Sequence, residues 1–269
     1  MPPRKSKLIN PRMPSMNSSL RQPFNLYECM PSEFKTEKRS YQNYEAYKIE
    51  IPFRALLIGS TGSGKSNIFV NLVLMLNCFH KIILLVPDAD EALYKFLIGV
   101  YRKIEKKLGV EEGTLISVVK DVSELPSAQV FKDGMVTESG EELNTLLVFD
   151  DFIAMKEAEL KRISDLCIRY RKYEVSCLFL TQSYTDTPML IRKNAEYILI
   201  KKCPLKTDLV NILRNYNLDY SKEQLMAFYK SCECNSIQNF FLIDLKTHEP
   251  KYRLRKNFEP LDEHATDEI

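Results

Sequence analysis

Three of the chain's eight glycines fall within eight consecutive residues, Gly59, Ser60, Thr61, Gly62, Ser63, Gly64, Lys65 and Ser66, which complete the pattern GxxxxGK[ST]. The apolar run ALLI at 55–58 precedes them, and NIFVNLVLML at 67–76 follows with helical spacing. Strand, glycine-rich turn and helix in that order call for an α/β sheet with the turn at the C-terminal edge of a buried strand. Wrapping a backbone closely around a polyphosphate needs missing Cβ atoms and positive φ angles. Amide N–H groups and the positive end of the following helix then face the phosphate charge. Lys65 supplies a mobile cation at the β and γ phosphates, and the Ser66 hydroxyl is a candidate Mg²⁺ ligand. The motif points to a nucleoside triphosphate, and all eight residues are candidates for holding it.

The rest of the chain supports such a sheet. In residues 53–58, 81–86, 115–119, 146–150, 177–181 and 197–200 the apolar residues are mostly consecutive rather than alternating, as in buried parallel strands. Helical patterns lie between them. Leu93, Phe96, Leu97, Val100, Tyr101 and Ile104 form one stripe, with Asp88 and Asp90 as candidate caps, and Leu160, Ile163, Cys167 and Tyr170 form another. Both stripes read as core. This alternation implies a mostly parallel sheet covered on both faces. Two further helices are expected at 206–216 and 221–230, and a terminal hairpin from 240–245 and 251–254. The polar stretch 118–144, with Gly134 and Gly140, reads as a long surface loop.

Composition bounds the remainder. A chain of 269 residues, 45% hydrophobic and 28% charged, has material for one large domain or two small ones with a substantial core. A net charge of +2 excludes a histone-like basic coat but leaves room for a local basic groove. Residues 1–40 carry six prolines and an excess of Lys and Arg, the composition of a flexible basic arm that is either inert or in contact with nucleic acid or a capsid. The phosphate-loop domain is expected over 47–258, and 259–269 reads as an acidic tail. No apolar run reaches the roughly 18–20 residues of a membrane span. The start lacks the apolar stretch of a signal peptide, and seven cysteines without framework spacing suit reduced thiols. A soluble intracellular protein is expected.

Eighty residues beyond Lys65 begins TLLVFDD at 145–151. Apolar residues ending in an acid place Asp150 at the C-terminal edge of a buried strand, suited to the Mg²⁺ shell. Asp151 is suited to accept a proton from the attacking water or to orient it. Two adjacent carboxylates repel each other without a cation; the alternative is a pair of aspartates capping the next helix. A third run, CLFLTQS at 177–183, ends a strand in Gln182, a candidate sensor that positions water at the γ-phosphate. No NKxD motif supports a GTPase, and no LSGGQ motif supports a transporter ATPase. Cys232, Cys234 and His248 make an incomplete zinc set. Lys201, Lys202 and Lys206, with Arg192 and Lys193, read either as a DNA path or as solvated charge.

These residues resemble the FtsK–HerA superfamily, and most nearly its viral genome-packaging ATPases of poxviruses, other large DNA viruses and virophages. The resemblance runs from about 51 to 200 through GSTGSGKS, LLVFDD, RYRKYEVSCLFLTQSY and PMLIRKNAEYILI. It implies a RecA-like P-loop core of strand order 5-1-4-3-2, a ring of subunits, ATP and Mg²⁺ as cofactors, and double-stranded DNA as partner, with a capsid or portal component besides. The setting it implies is the host-cell cytoplasm or the virion. A basic residue eleven positions before the sensor glutamine is Arg171 here, which makes it the arginine-finger candidate, with Arg169 and Arg192 in reserve. Arg169, Arg171 and Lys172 also close a helix just before the Gln182 strand, where a cation faces a neighbour more readily than its own nucleotide; dipole-favoured solvated charge is the alternative. No appended DNA-reading domain of the bacterial FtsK type is present, and the chain after Lys201 matches loosely. A helicase- or recombinase-like ATPase and a nucleotide-dependent capsid-assembly scaffold are the competing readings.

Overall fold

Strands apolar along their whole length must be covered on both faces, which makes them the inner strands of a single sheet. The computed structural model describes residues 43–133, 143–203, 206–216, 218 and 220–261. In it β1 (Arg54–Ile58), β2 (Lys81–Leu85), β3 (Ile116–Val119), β4 (Thr145–Asp150), β5 (Val175–Thr181) and β6 (Tyr197–Ile200) are parallel. The order across the sheet is β3-β2-β4-β5-β1-β6, continued by the antiparallel β7 (Phe241–Asp244), β8 (Leu254–Lys256) and β9 (Glu259–Pro260). The expected order 5-1-4-3-2 is present as β6-β1-β5-β4-β2, with β3 as a further parallel strand at the edge. The terminal hairpin forms as expected, but its second arm starts three residues late. Pro250–Tyr252 close a single 3₁₀ turn there, and proline has no N–H for a ladder.

The helices are α1 (Tyr44–Tyr47), α2 (Lys65–Leu76), α3 (Ala92–Leu108), α4 (Ala128–Asp133), α5 (Glu157–Arg169), α6 (Met189–Asn194), α7 (Lys206–Asn215) and α8 (Lys222–Ser231). Alternate strand residues feed two cores. Leu57, Leu84, Val148 and Leu180 pack with Phe69 and Leu72 of α2 and Leu97 of α3. Leu56, Leu85, Phe149 and Phe179 face the other way, toward Ile163 of α5, Ile212 of α7 and Phe228 of α8. The described chain from β1 onward belongs to one unit, Tyr41–Ile269.

The α5 stripe is buried at Ile163, Cys167 and Tyr170, as expected. The α3 stripe is buried only in part, at Leu97, with Leu93 and Tyr101 packed against the core. Phe96 and Ile104 are 54% and 40% exposed, whereas Tyr94, Leu97 and Glu105 are buried. The Glu105 carboxylate accepts the Leu115 amide at 2.7 Å and pairs with Arg102 at 2.8 Å, closing the loop into β3. The buried acid thus shares the core-facing side of the helix with Leu97, while Phe96 and Ile104 are left outside. Asp88 and Asp90 do not cap it either: Glu91 occupies the N-cap, and Asp88 accepts the Asp90 amide instead. Part of the expected 118–144 loop is ordered as a 3₁₀ turn, Val122–Glu124, and α4. Residues 134–142, the arm 1–40 and most of the acidic tail lie outside the described residues. No described helix is long and apolar enough to cross a membrane, and the described cysteines are free.

Candidate nucleotide-binding site

Only the loop 59–64 separates β1 from α2, so the chain must turn sharply as it leaves the sheet. Gly62 and Gly64 have φ of +71° and +94°, where a side chain is strained. A Cβ on Gly59 would stand 2.6 Å from the Lys201 Cβ, and one on Gly64 would stand 2.8 Å from the Ile237 Cγ1. The loop is thus approached from both sides, by the end of β6 and by residues 232–239. Lys65 Nζ donates to the carbonyls of Gly59 at 3.0 Å and Ser60 at 3.3 Å. Burial holds its ammonium below the ordinary lysine value, against the pull of Asp150 and Asp151. An anionic phosphate is a better partner for that charge than two carbonyls.

The sheet order brings three motifs to one edge. β5 lies between β4 and β1, so Gln182 stands between Asp151 and the loop. Its Oε1 accepts from the Thr61 hydroxyl at 2.9 Å, and its Nε2 donates to Asp151 Oδ1 at 3.2 Å. Asp151 has φ +47° and opens the turn Phe152–Ala154 without a side-chain cap bond. Its carboxylate is turned to Gln182 rather than to a helix end, contrary to the capping alternative.

Asp150 Oδ2 accepts the Tyr94 hydroxyl at 2.6 Å, and its Oδ1 accepts the Asp151 amide at 3.0 Å. Burial raises its carboxyl above the usual range; repulsion from Asp151 adds to this, while the Tyr94 hydrogen bond and Lys65 oppose it. The Tyr94 phenol, pushed up chiefly by burial, remains protonated. The candidate metal ligands are the Ser66 hydroxyl and the Asp150 carboxylate. Both donors are oxygens, and the two neighbouring carboxylates have a single lysine between them. Such a set fits a hard divalent cation.

Arg171 is not brought to this edge. It lies in the turn Tyr170–Tyr173 that leads into β5, with Nη2 3.0 Å from Glu196 Oε1, and is 53% exposed. The length of β5, roughly 20 Å, separates it from Gln182. Arg169 is exposed in the last turn of α5, and the Arg192 guanidinium packs over the Tyr184 ring at 5.0 Å. Lys201 does not belong to a solvated basic path: it is buried, and its Nζ donates to the carbonyls of Ser236 at 2.6 Å and Asn239 at 2.5 Å. Lys202 and Lys193 are exposed. Cys232 and Cys234 are buried, and among the described residues no three His, Cys, Asp or Glu side chains gather to hold a metal.

Two parts of the site carried no motif. Tyr94 sits on a helix read as plain core, where the available signal was that a buried phenol needs a partner. The 232–239 segment offered none, because it touches Gly64 only through the packing of the terminal hairpin.

Among solved structures, the genome packaging NTPase B204 of Sulfolobus turreted icosahedral virus 2 in complex with sulfate aligns with a TM-score of 0.50 at 14% identity, covering 80% of this chain and 100% of that one. Its complex with ATP-gammaS aligns at 0.48 and 14%, covering 79% and 100%. EssC (ATPases 2 and 3) from Geobacillus thermodenitrificans aligns at 0.42 and 9%, covering 78% of this chain and 40% of that one. The first of these shares the fold with this chain. No curated protein sequence matches. The family model described as "Poxvirus A32 protein" matches residues 41–243. That match runs from before β1 into β7 and takes in the loop, the acid pair and the glutamine strand; the chain belongs to the poxvirus A32 family.

Proposed function

We propose that this ATPase uses Mg²⁺-ATP hydrolysis to move double-stranded DNA, and that the DNA is a viral genome entering its capsid. The observation that carries the hydrolytic half is the Thr61–Gln182–Asp151 bridge, which joins the phosphate loop to a carboxylate through one amide. Lys65 exchanges its two loop carbonyls for β and γ phosphate oxygens. Asp151 orients the attacking water or takes its proton, and Gln182 holds that water in line. Ser66 and Asp150 would hold Mg²⁺, which would supply positive charge against the triphosphate. Arg171 serves a neighbouring subunit in a ring, a reading supported by its distance from its own loop. Family membership and the description of the fold's viral relative as a genome packaging NTPase support the DNA half. A motor that accepts every sequence must grip phosphates rather than base edges. A capsid or portal component would anchor the ring, in the viral factory or the virion.

The test is ATP turnover with and without duplex DNA, at a protein concentration where assembly is verified. Stimulation by duplex DNA is expected. Turnover indifferent to DNA would remove the coupling, stimulation by single strands alone would favour a helicase, and nucleotide binding with negligible turnover would favour a capsid-assembly scaffold.

A further inference from the structure

Gln182 follows the last residue of β5 and opens the loop that leads to α6. An amide at a strand end is placed by the backbone on both sides of it. On the near side the strand itself does this: the Ser183 amide donates to the Thr181 hydroxyl oxygen at 3.3 Å, and that hydroxyl donates to the Ser183 carbonyl at 3.0 Å. On the far side the anchor comes from α7, a helix without a catalytic motif. Asp208 in its first turn is fully buried. We propose that Asp208 is a positioning residue for ATP hydrolysis, which fixes the 183–187 loop and thereby sets the Gln182 amide between Thr61 and Asp151. Its role rests on the one proposed for Gln182 above.

An acid in the first turn of a helix ordinarily serves the free amides and the dipole of that helix. The Asp208 carboxylate is turned to the loop instead. Its Oδ2 accepts the Tyr184 amide at 3.1 Å, and its Oδ1 accepts the Thr185 amide at 3.3 Å and the Thr185 hydroxyl. Such bonds are charge-assisted, and a carboxylate is kept out of water only where donors of this kind satisfy it. Two turns further along α7, the Asn215 side-chain amide donates to the Tyr184 hydroxyl at 3.0 Å, and that hydroxyl donates to the Tyr216 hydroxyl at 3.2 Å. The helix therefore grips Tyr184 by its backbone at one end and by its phenol at the other. Thr187 closes the loop, its hydroxyl donating to the Ser183 carbonyl at 2.8 Å. Only Ser183 separates Gln182 from this anchor, and a displacement of about 1 Å at a group that aligns a reactant costs on the order of 10²-fold in rate.

The test compares full-length wild type, Asp208→Asn, Gln182→Ala and the double variant, by single-turnover ATP hydrolysis with excess enzyme and by fluorescent-nucleotide titration. Asp208→Asn keeps the shape of the side chain but puts an NH₂ group where a loop donor needs an acceptor. The expected result is hydrolysis slower by roughly tenfold or more, with ATP affinity within about threefold of wild type. Adding Asp208→Asn to Gln182→Ala should bring no further loss. Unchanged hydrolysis, an equal fall in ATP affinity, or the same factor lost with and without Gln182 overturns the assignment, because general damage to the fold does not depend on the side chain at 182. Thr185→Val, at an exposed position, removes one donor to Asp208 and replaces the first variant if that chain does not fold. A loss of about threefold or more that disappears in the Gln182→Ala background is then expected, and hydrolysis at the wild-type rate overturns the role. Gln182→Ala hydrolysing at the wild-type rate would instead remove the glutamine from the reaction, and the role of Asp208 with it.

Discussion

Adjacent in sequence, Asp150 and Asp151 have different surroundings, and the proposed mechanism gives them different work on that ground. Asp150 is held above its ordinary pKa, chiefly by burial, so the folded chain binds more protons than the unfolded one between the ordinary carboxylate value and the raised one. Stability from the neutral form is present at low pH and lost as pH rises through the raised pKa. Asp150→Asn keeps an acceptor for Tyr94 and removes the charge. At neutral pH the nucleotide-free variant should melt a few degrees higher than wild type by calorimetry, yet bind ATP less well with Mg²⁺ present. A lower Tm would contradict the idea that this charge is held at a cost. Asp151→Asn should instead bind ATP normally and lose on the order of 10²-fold or more in turnover; equal loss of nucleotide affinity in both variants would end this division of labour. In the proposed mechanism Tyr94 acts through Asp150, as a positioning residue. Tyr94→Phe should raise the Mg²⁺ concentration needed for half-maximal ATP binding by roughly tenfold while affinity at saturating metal stays near wild type. A fluorescent-nucleotide titration against Mg²⁺ reads this, and an unchanged metal requirement would assign the phenol to packing alone.

At the scale of elements, the strands were legible and the phase of α3 was not. A run such as LLVF at 146–149 has one solution, burial on both faces, whichever strands adjoin it. A helix has a choice of faces, and in α3 the buried Glu105, with its amide and Arg102 partners, outweighs Phe96 and Ile104. Apolar periodicity cannot register a carboxylate that is buried because it is satisfied. The phosphate loop shows the converse: its glycines were legible, but the neighbours that require them were not. Gly64→Ala would place a Cβ 2.8 Å from Ile237 Cγ1 and 2.9 Å from the Ile237 carbonyl oxygen, at φ +94°. The expected cost is about 1–3 kcal/mol, with ATP binding lost and helix content retained. Circular dichroism with an ATP titration checks it, and wild-type affinity would show that the 232–239 segment yields.

For the whole molecule, the separation of Arg171 from its own phosphate loop has a consequence for assembly. Arg171→Ala should bind ATP and hydrolyse it slowly, by roughly 10³-fold if the arginine stabilises transition-state charge. Lys65→Ala should lose hydrolysis through its own loop. Co-assembled, the two variants should recover part of the activity, because one pairing joins an intact Lys65 site to an intact Arg171. No recovery despite verified mixed assembly would rule out action across a subunit boundary, and recovery that instead depends on Arg169 or Arg192 would change the residue but keep the ring. Deleting residues 1–40 should leave turnover intact and weaken binding to DNA or to a capsid component. Unfolding of the deletion variant would make that segment structural.

Local chemistry made the loop, the six parallel strands and the acid pair readable in the chain itself. Continuous apolar runs have one stable environment, and a close phosphate wrap admits few residue types. Strand adjacency had to come from long-range packing, and it is adjacency that sets Gln182 between Thr61 and Asp151. The same is true of single side chains whose partners are distant in sequence. Lys201 reads as a surface cation until the 232–239 carbonyls enclose it. Tyr94 reads as core until Asp150, 56 residues away, accepts its hydrogen bond. Whether a polar group is solvated, structural or part of the site depends on which atoms surround it after folding, and for these residues those atoms lie on other elements.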